Sequence, residues 1–179
     1  MWGGGGSYNA WASFLDRWAA GEPVDPAGLP RIALDDFTGD GHERLANRLS
    51  GALSARLQRW AAGLTRAIGE ARDEFGVARA LVQARAGLAP IRALAAHPGL
   101  PDEFTTGLVS MVDTQIRSAQ TSLEDQVESM RRDGAERRVV EARLRTIRDN
   151  PLTTALVAAP GGDNWHRDLS VPPRRRVVG

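Results

Sequence analysis

The chain has 179 residues and a mass of 19.3 kDa, with 23 basic and 22 acidic side chains, 42% hydrophobic residues and no cysteine. Every basic residue is arginine, which excludes a Walker A phosphate loop, a lysine Schiff base and the kinase lysine, since each needs a compact ammonium at a fixed place. The missing thiols exclude disulfides, thiolate metal sites and cysteine nucleophiles. A chain of this length can bury an ordinary core without such staples.

The opening MWGGGGSYNAWASFL has neither the basic n-region nor the continuous apolar core of a secretory signal. No stretch offers the roughly 20 apolar residues that cross a bilayer, so a cytoplasmic location is expected. Gly3 to Ser7 spells a flexible GGGGS unit, and the first helix is expected only after it, from about Tyr8 to Ala20. Trp11, Phe14, Leu15 and Trp18 stand at i, i+3, i+4 and i+7, which makes one face of that helix almost wholly aromatic. Such a face either folds back as a lid on the chain's own helices or docks into a partner's groove.

Glycine and proline break the chain from Gly21 to Asp40. Within this stretch, Asp36, Thr38, Asp40 and Gly41 occupy the first, third, fifth and sixth places of an EF-hand-like calcium loop. The pattern also resembles the short calcium loops of integrin-type propeller repeats. The rest of the loop fails, with Arg44 at the ninth place and Asn47 at the twelfth, so a turn with Asp40 as a helix cap is the better reading.

A second helix begins near His42. Leu45, Leu49, Leu53, Leu57, Trp60, Leu64 and Ile68 recur at steps of three and four and share one stripe. Gly76 is a candidate for its end. A third helical run carries Val77, Leu81, Ala84, Leu88, Ile91 and Leu94, with a kink or break expected near Ala89 because of Gly87 and Pro90. The HPGLP stretch, His97 to Pro101, stops that run and reverses the chain.

From Asp102 the spacing becomes a heptad: Val109, Val112, Ile116, Ala119, Leu123, Gln126 and Met130 form the seam of a coiled-coil or bundle helix. The frame resumes at Val140, Leu144 and Ile147. Either Asp133-Gly134 is a turn between antiparallel helices, or one helix spans 102 to 149 with a polar interruption. The broken version is preferred, because a 48-residue helix would be about 72 Å long in a globule about 40 Å across. Asn150-Pro151 then reads as a cap and first turn of a short helix to about Ala159, and the composition beyond it is that of a tail.

Charge is segregated along the chain. Residues 1 to 40 carry −4, residues 41 to 101 +5, residues 102 to 130 −5 and residues 131 to 179 +5. This alternation suggests that the acidic heptad segment packs against the basic hairpin before it, with Asp113/Arg117, Glu128/Arg132 and Glu141/Arg145 as local i, i+4 pairs. The alternative is a solvated face.

The expected fold class is therefore all-α: a bundle of three to four long helices with a coiled-coil-like heptad segment, an N-terminal amphipathic aromatic helix and a disordered C-terminal tail. The domain reading is 1 to 40 for the aromatic helix and connector, 41 to 159 for the bundle and 160 to 179 for a flexible basic tail. His42, His97 and His166 have no zinc spacing, and Asp163, His166 and Asp168 cluster only within the tail. No catalytic residue, metal or cofactor is expected. The expected function is a non-catalytic protein–protein interaction or assembly subunit, with a protein partner or a second copy bound through Trp11, Phe14, Trp18, Ile116, Leu123 and Met130. A nucleic-acid-associated regulator would instead use Arg131, Arg132, Arg137 and Arg138, or the later Arg174 to Arg176, against phosphates. An enzyme with a site assembled from distant loops is a third reading.

Overall fold

A computed structural model describes residues 4–33, 35, 37 and 39–156. Five α-helices account for most of them: α1 Gly4–Ala20, α2 Gly41–Glu70, α3 Glu74–Ala95, α4 Asp102–Arg132 and α5 Arg137–Asp149. Short 3-10 turns occupy Pro26–Gly28 and Leu152–Leu156. No strand is present among the described residues. The tail expected from residue 160 onward, with Arg174 to Arg176 and the Asp163/His166/Asp168 cluster, lies outside the described residues.

Helix α2 forms where leucines at steps of three and four align on one side. Leu45, Leu49, Leu53, Leu57 and Leu64 are all buried. The expected end at Gly76 moves upstream, because the helix stops at Glu70 and Asp73 starts the next one. The Asp73 carboxylate accepts a hydrogen bond from the Gly76 amide at 2.8 Å, which satisfies a first-turn donor and places Gly76 inside α3. The break expected near Ala89 is absent. Helix α3 continues through Pro90, since Val77, Leu81, Leu88, Ile91 and Leu94 on its inner side are all held in the core.

The segment from 102 to 149 takes the broken form. Gly134 adopts φ +85°, a left-handed conformation that glycine enters without steric cost, and α5 starts three residues later. At the other ends of the chain the expectations shift. Helix α1 begins at Gly4, ahead of Tyr8, which packs against the core. Asn150 closes α5 rather than opening a new helix, its side-chain amide donating to the Thr146 carbonyl at 3.0 Å. The structure that follows is the 3-10 turn; residues 157 to 159 of the expected helix lie outside the described residues.

Helices α2, α3 and α4 are mutually packed, with α5 against α3 and α4, and α1 against α2. The pairs Asp16–Arg48 and Trp18–Arg56 advance together along α1 and α2, so these helices run parallel. One apolar core runs from Trp11 to Leu152. The loop before α2 is tied to the α3–α4 turn by backbone and side chain together. Trp11 Nε1 donates to the Pro30 carbonyl at 2.8 Å, Ile32 N donates to Gly99 O at 2.7 Å, and His97 Nε2 lies 3.0 Å from the Pro26 carbonyl. The Gly99 amide donates to His97 Nδ1 at 3.0 Å, which places the ring proton on Nε2, facing Pro26. A side chain at position 99 would meet His97 Nδ1 at 2.9 Å and Pro30 O at 3.1 Å, so this crossing needs glycine.

Candidate functional site

The residues expected to meet a partner are largely turned into the chain's own core. Trp11, Phe14 and Trp18 are buried: Trp11 stands edge-on to His97 with ring centroids 5.0 Å apart, and Phe14 stacks on Trp18 at 6.5 Å. The aromatic face is the lid of the two possibilities, because α2 and the α3–α4 turn already cover it. Ile116 and Leu123 are buried as well, and Met130 is partly buried. The buried side of α4 is Phe104, Leu108, Val112, Ile116, Leu123 and Val127, whereas Gln126 of the expected seam is exposed. Leu123 and Met130 help to line a cleft of about 320 Å³ at the α4–α5 end, together with Ile68, Val77, Val127 and Ile147.

Arg131, Arg132, Arg137 and Arg138 are all exposed around the α4–α5 turn. Their charge is met locally. Arg131 pairs with Glu128 at 3.2 Å, Arg132 Nε donates to the Glu128 carbonyl, and Arg137 pairs with Glu141 at 2.6 Å. The hydrogen bond and charge of Arg137 hold the Glu141 carboxyl below its ordinary range and raise Arg137 in turn. Asp133 and Glu136 stand in the same turn, so four acids accompany the four arginines between 128 and 141.

The three local ion pairs expected from i, i+4 spacing all take other partners. Asp113 accepts from Arg92 Nε at 3.2 Å instead of pairing with Arg117. Glu128 takes Arg131, and Glu141 takes Arg137. Arg92 is the one buried charged side chain among the described residues. It also donates to the Ala155 carbonyl at 2.5 Å, while Gln120 Oε1 accepts from Leu152 N at 2.9 Å. These contacts fasten the C-terminal 3-10 turn across α3 and α4. Sequence reasoning missed this clamp because Arg92 and Asp113 lie 21 residues apart, beyond any helical spacing.

Of the calcium-loop residues, Asp36 and Thr38 lie outside the described residues. Asp40 occupies the N-cap position of α2 but makes no capping bond; its carboxylate pairs with Arg44 at 3.2 Å. Among the described residues no group of three or more histidine, aspartate or glutamate side chains is placed to hold a metal ion. Nor is any helix among them long and apolar enough to cross a membrane.

The surface that stands out is the outward side of α3. Phe75 is 75% exposed and Val82 44%, and Ala86, Ala89 and Ala93 are exposed too. At 100° per residue these five side chains fall within about 60° of one another, forming a stripe roughly 27 Å long. From Val82 to Ala93 every exposed residue is uncharged: Val82, Gln83, Ala86, Gly87, Ala89, Pro90 and Ala93. Arg85 in that interval reaches toward the Pro151 carbonyl, and Arg92 is buried. On α4, by contrast, every exposed residue except Gly107 is polar or charged. A helix that is apolar on both sides normally has both sides covered. One signal was present in the sequence, since no acidic residue occurs between Glu74 and Asp102.

Comparison with protein-family models, with curated proteins and with solved structures finds no match to this chain.

Proposed function

We propose that this chain is a non-catalytic helical interaction or assembly subunit, a bundle that docks protein through the outward face of α3. The observation that carries the reading is the solvent-facing stripe Phe75, Val82, Ala86, Ala89 and Ala93, free of charge from Val82 onward. In a chain with 25% charged residues, an apolar stripe of this length is what a protein contact uses, since covering it removes hydrocarbon from water with Arg79 as the one exposed charge beside it. The coiled-coil-like seam and the aromatic helix then act within the subunit, as the core that keeps α3 rigid.

The nucleic-acid reading is the weaker one. Arg131, Arg132, Arg137 and Arg138 are accessible, but the neighbouring Glu128, Asp133, Glu136 and Glu141 offset their charge at the turn, which weakens the attraction for phosphate.

Ala86→Glu tests the docking reading, because glutamate suits an exposed helical position nearly as well as alanine yet puts a charge in the middle of the stripe. Tagged wild-type chain isolated under native conditions from cells that make it should carry a stoichiometric assembly. The Ala86→Glu chain, with the same circular dichroism, should carry none. Equal assemblies from both would overturn the reading.

A further inference from the structure

We infer that the outward face of α3 seats a second copy of this chain, with the two α3 helices antiparallel about a two-fold axis. The inference rests on the reading of that face as a docking surface and adds its occupant. Charge narrows the choice. Between Val82 and Ala93 the exposed face offers no ion to an acidic or basic partner, and Arg79 is the one exposed charge on the helix. The chain's own α3 is a surface of the same neutral kind.

Side-chain size then sets the direction. The bulky residues Phe75 and Val82 lie in the first half of the stripe, and the small ones, Ala86, Ala89 and Ala93, in the second. An antiparallel pair centred on residue 84 sets Phe75 opposite Ala93 of the second copy, Arg79 opposite Ala89 and Val82 opposite Ala86. Every large side chain meets an alanine, and the two Arg79 charges stand about 15 Å apart along the axis, beyond the Debye length of about 8 Å at physiological salt. A parallel pair would stack Phe75 on Phe75, bring Arg79 against Arg79 and leave the alanine halves apart. The antiparallel contact is isologous and closes at two copies. A single helix pair is a smaller contact than the roughly 800 Å² per copy of a standard stable interface, so the population of the dimer should depend on chain concentration.

Sedimentation from low to high micromolar concentration should show the weight-average mass rising from 19.3 kDa toward twice that value, and Ala86→Glu should stay at 19.3 kDa throughout. The native chain has no cysteine, so introduced thiols report alone. Under oxidation, a mixture of Phe75→Cys and Ala93→Cys chains should form a disulfide-linked dimer. Ala93→Cys alone should not, its thiols being about 27 Å apart along the pair. Wild-type chain that remains at 19.3 kDa would overturn the dimer, while the loss of a native assembly in Ala86→Glu would still support docking of another protein. A dimer that Ala86→Glu leaves intact would overturn the α3 dimer, and self-crosslinking of Ala93→Cys would overturn the antiparallel arrangement.

Discussion

Arg56 lies against the Trp18 indole, its guanidinium carbon 4.7 Å from the ring centroid, and its Nε is buried without a hydrogen-bond partner. Burial, and then the charge of nearby Arg59, lower its pKa from the ordinary arginine value. Two effects compete here. The stem and the cation–π contact stabilise the α1–α2 junction by about 0.5–1 kcal/mol, and the orphaned donor costs about 1–3 kcal/mol. The donor wins on these magnitudes. Arg56→Met keeps a flexible apolar stem on Trp18 and removes the donor, so thermal unfolding should show a gain of up to about 1 kcal/mol. Arg56→Ala, which also gives up the stem, should gain less than Arg56→Met. A loss of stability in Arg56→Met would mean that the cation over the indole is the larger effect.

The elements show where spacing in a sequence is informative and where it is not. The α2 leucines and the apolar residues of α3 and α4 were readable because burial imposes a helical period on them. The α4–α5 turn was readable because Gly134 interrupts that period. Pro90 misled for a local reason: proline removes one backbone donor and disfavours helix before it, but Leu88, Ile91 and Leu94 anchor the helix on both sides. The ion pairs misled because local spacing counts only partners on the same helix, whereas Asp113 finds Arg92 and Glu74 finds Arg143 across helices. Apart from the lack of acids between Glu74 and Asp102, the outward stripe of α3 was not legible, since Phe75 and Val82 fall outside the core period and register as scatter until the helix has a fixed inside. A helix held together across an interior proline retains its cost. Pro90 is exposed, so Pro90→Ala should raise stability by about 1–3 kcal/mol in urea unfolding. No gain would argue that the chain is not helical through residue 90.

At the scale of the molecule, the apolar seam and the proposed docking surface are separate things. Leu123 is buried, so Leu123→Asp strikes folding before it strikes any association. It should cost about 4 kcal/mol or more through the lost packing and the buried carboxylate. Exposed Gln126, three residues on, should accept aspartate within about 0.5 kcal/mol. Denaturant midpoints of the two variants provide the comparison, and similar losses would contradict the orientation of α4. On the proposed reading, stability should respond to substitutions in the α4 core and association to those on the far side of α3.

The link between His97 and Pro26 also bears on the order of events as the chain folds. Its two ends are 71 residues apart, whereas α2, α3 and α4 follow one another through short turns. Closing so long a span adds little to the equilibrium cost, because that cost grows only with the logarithm of length, but it depends on both anchors being formed. The consecutive hairpins can assemble from neighbours on a fast timescale. From sequence separation alone, the tie between the aromatic segment and that turn is expected to close after those hairpins.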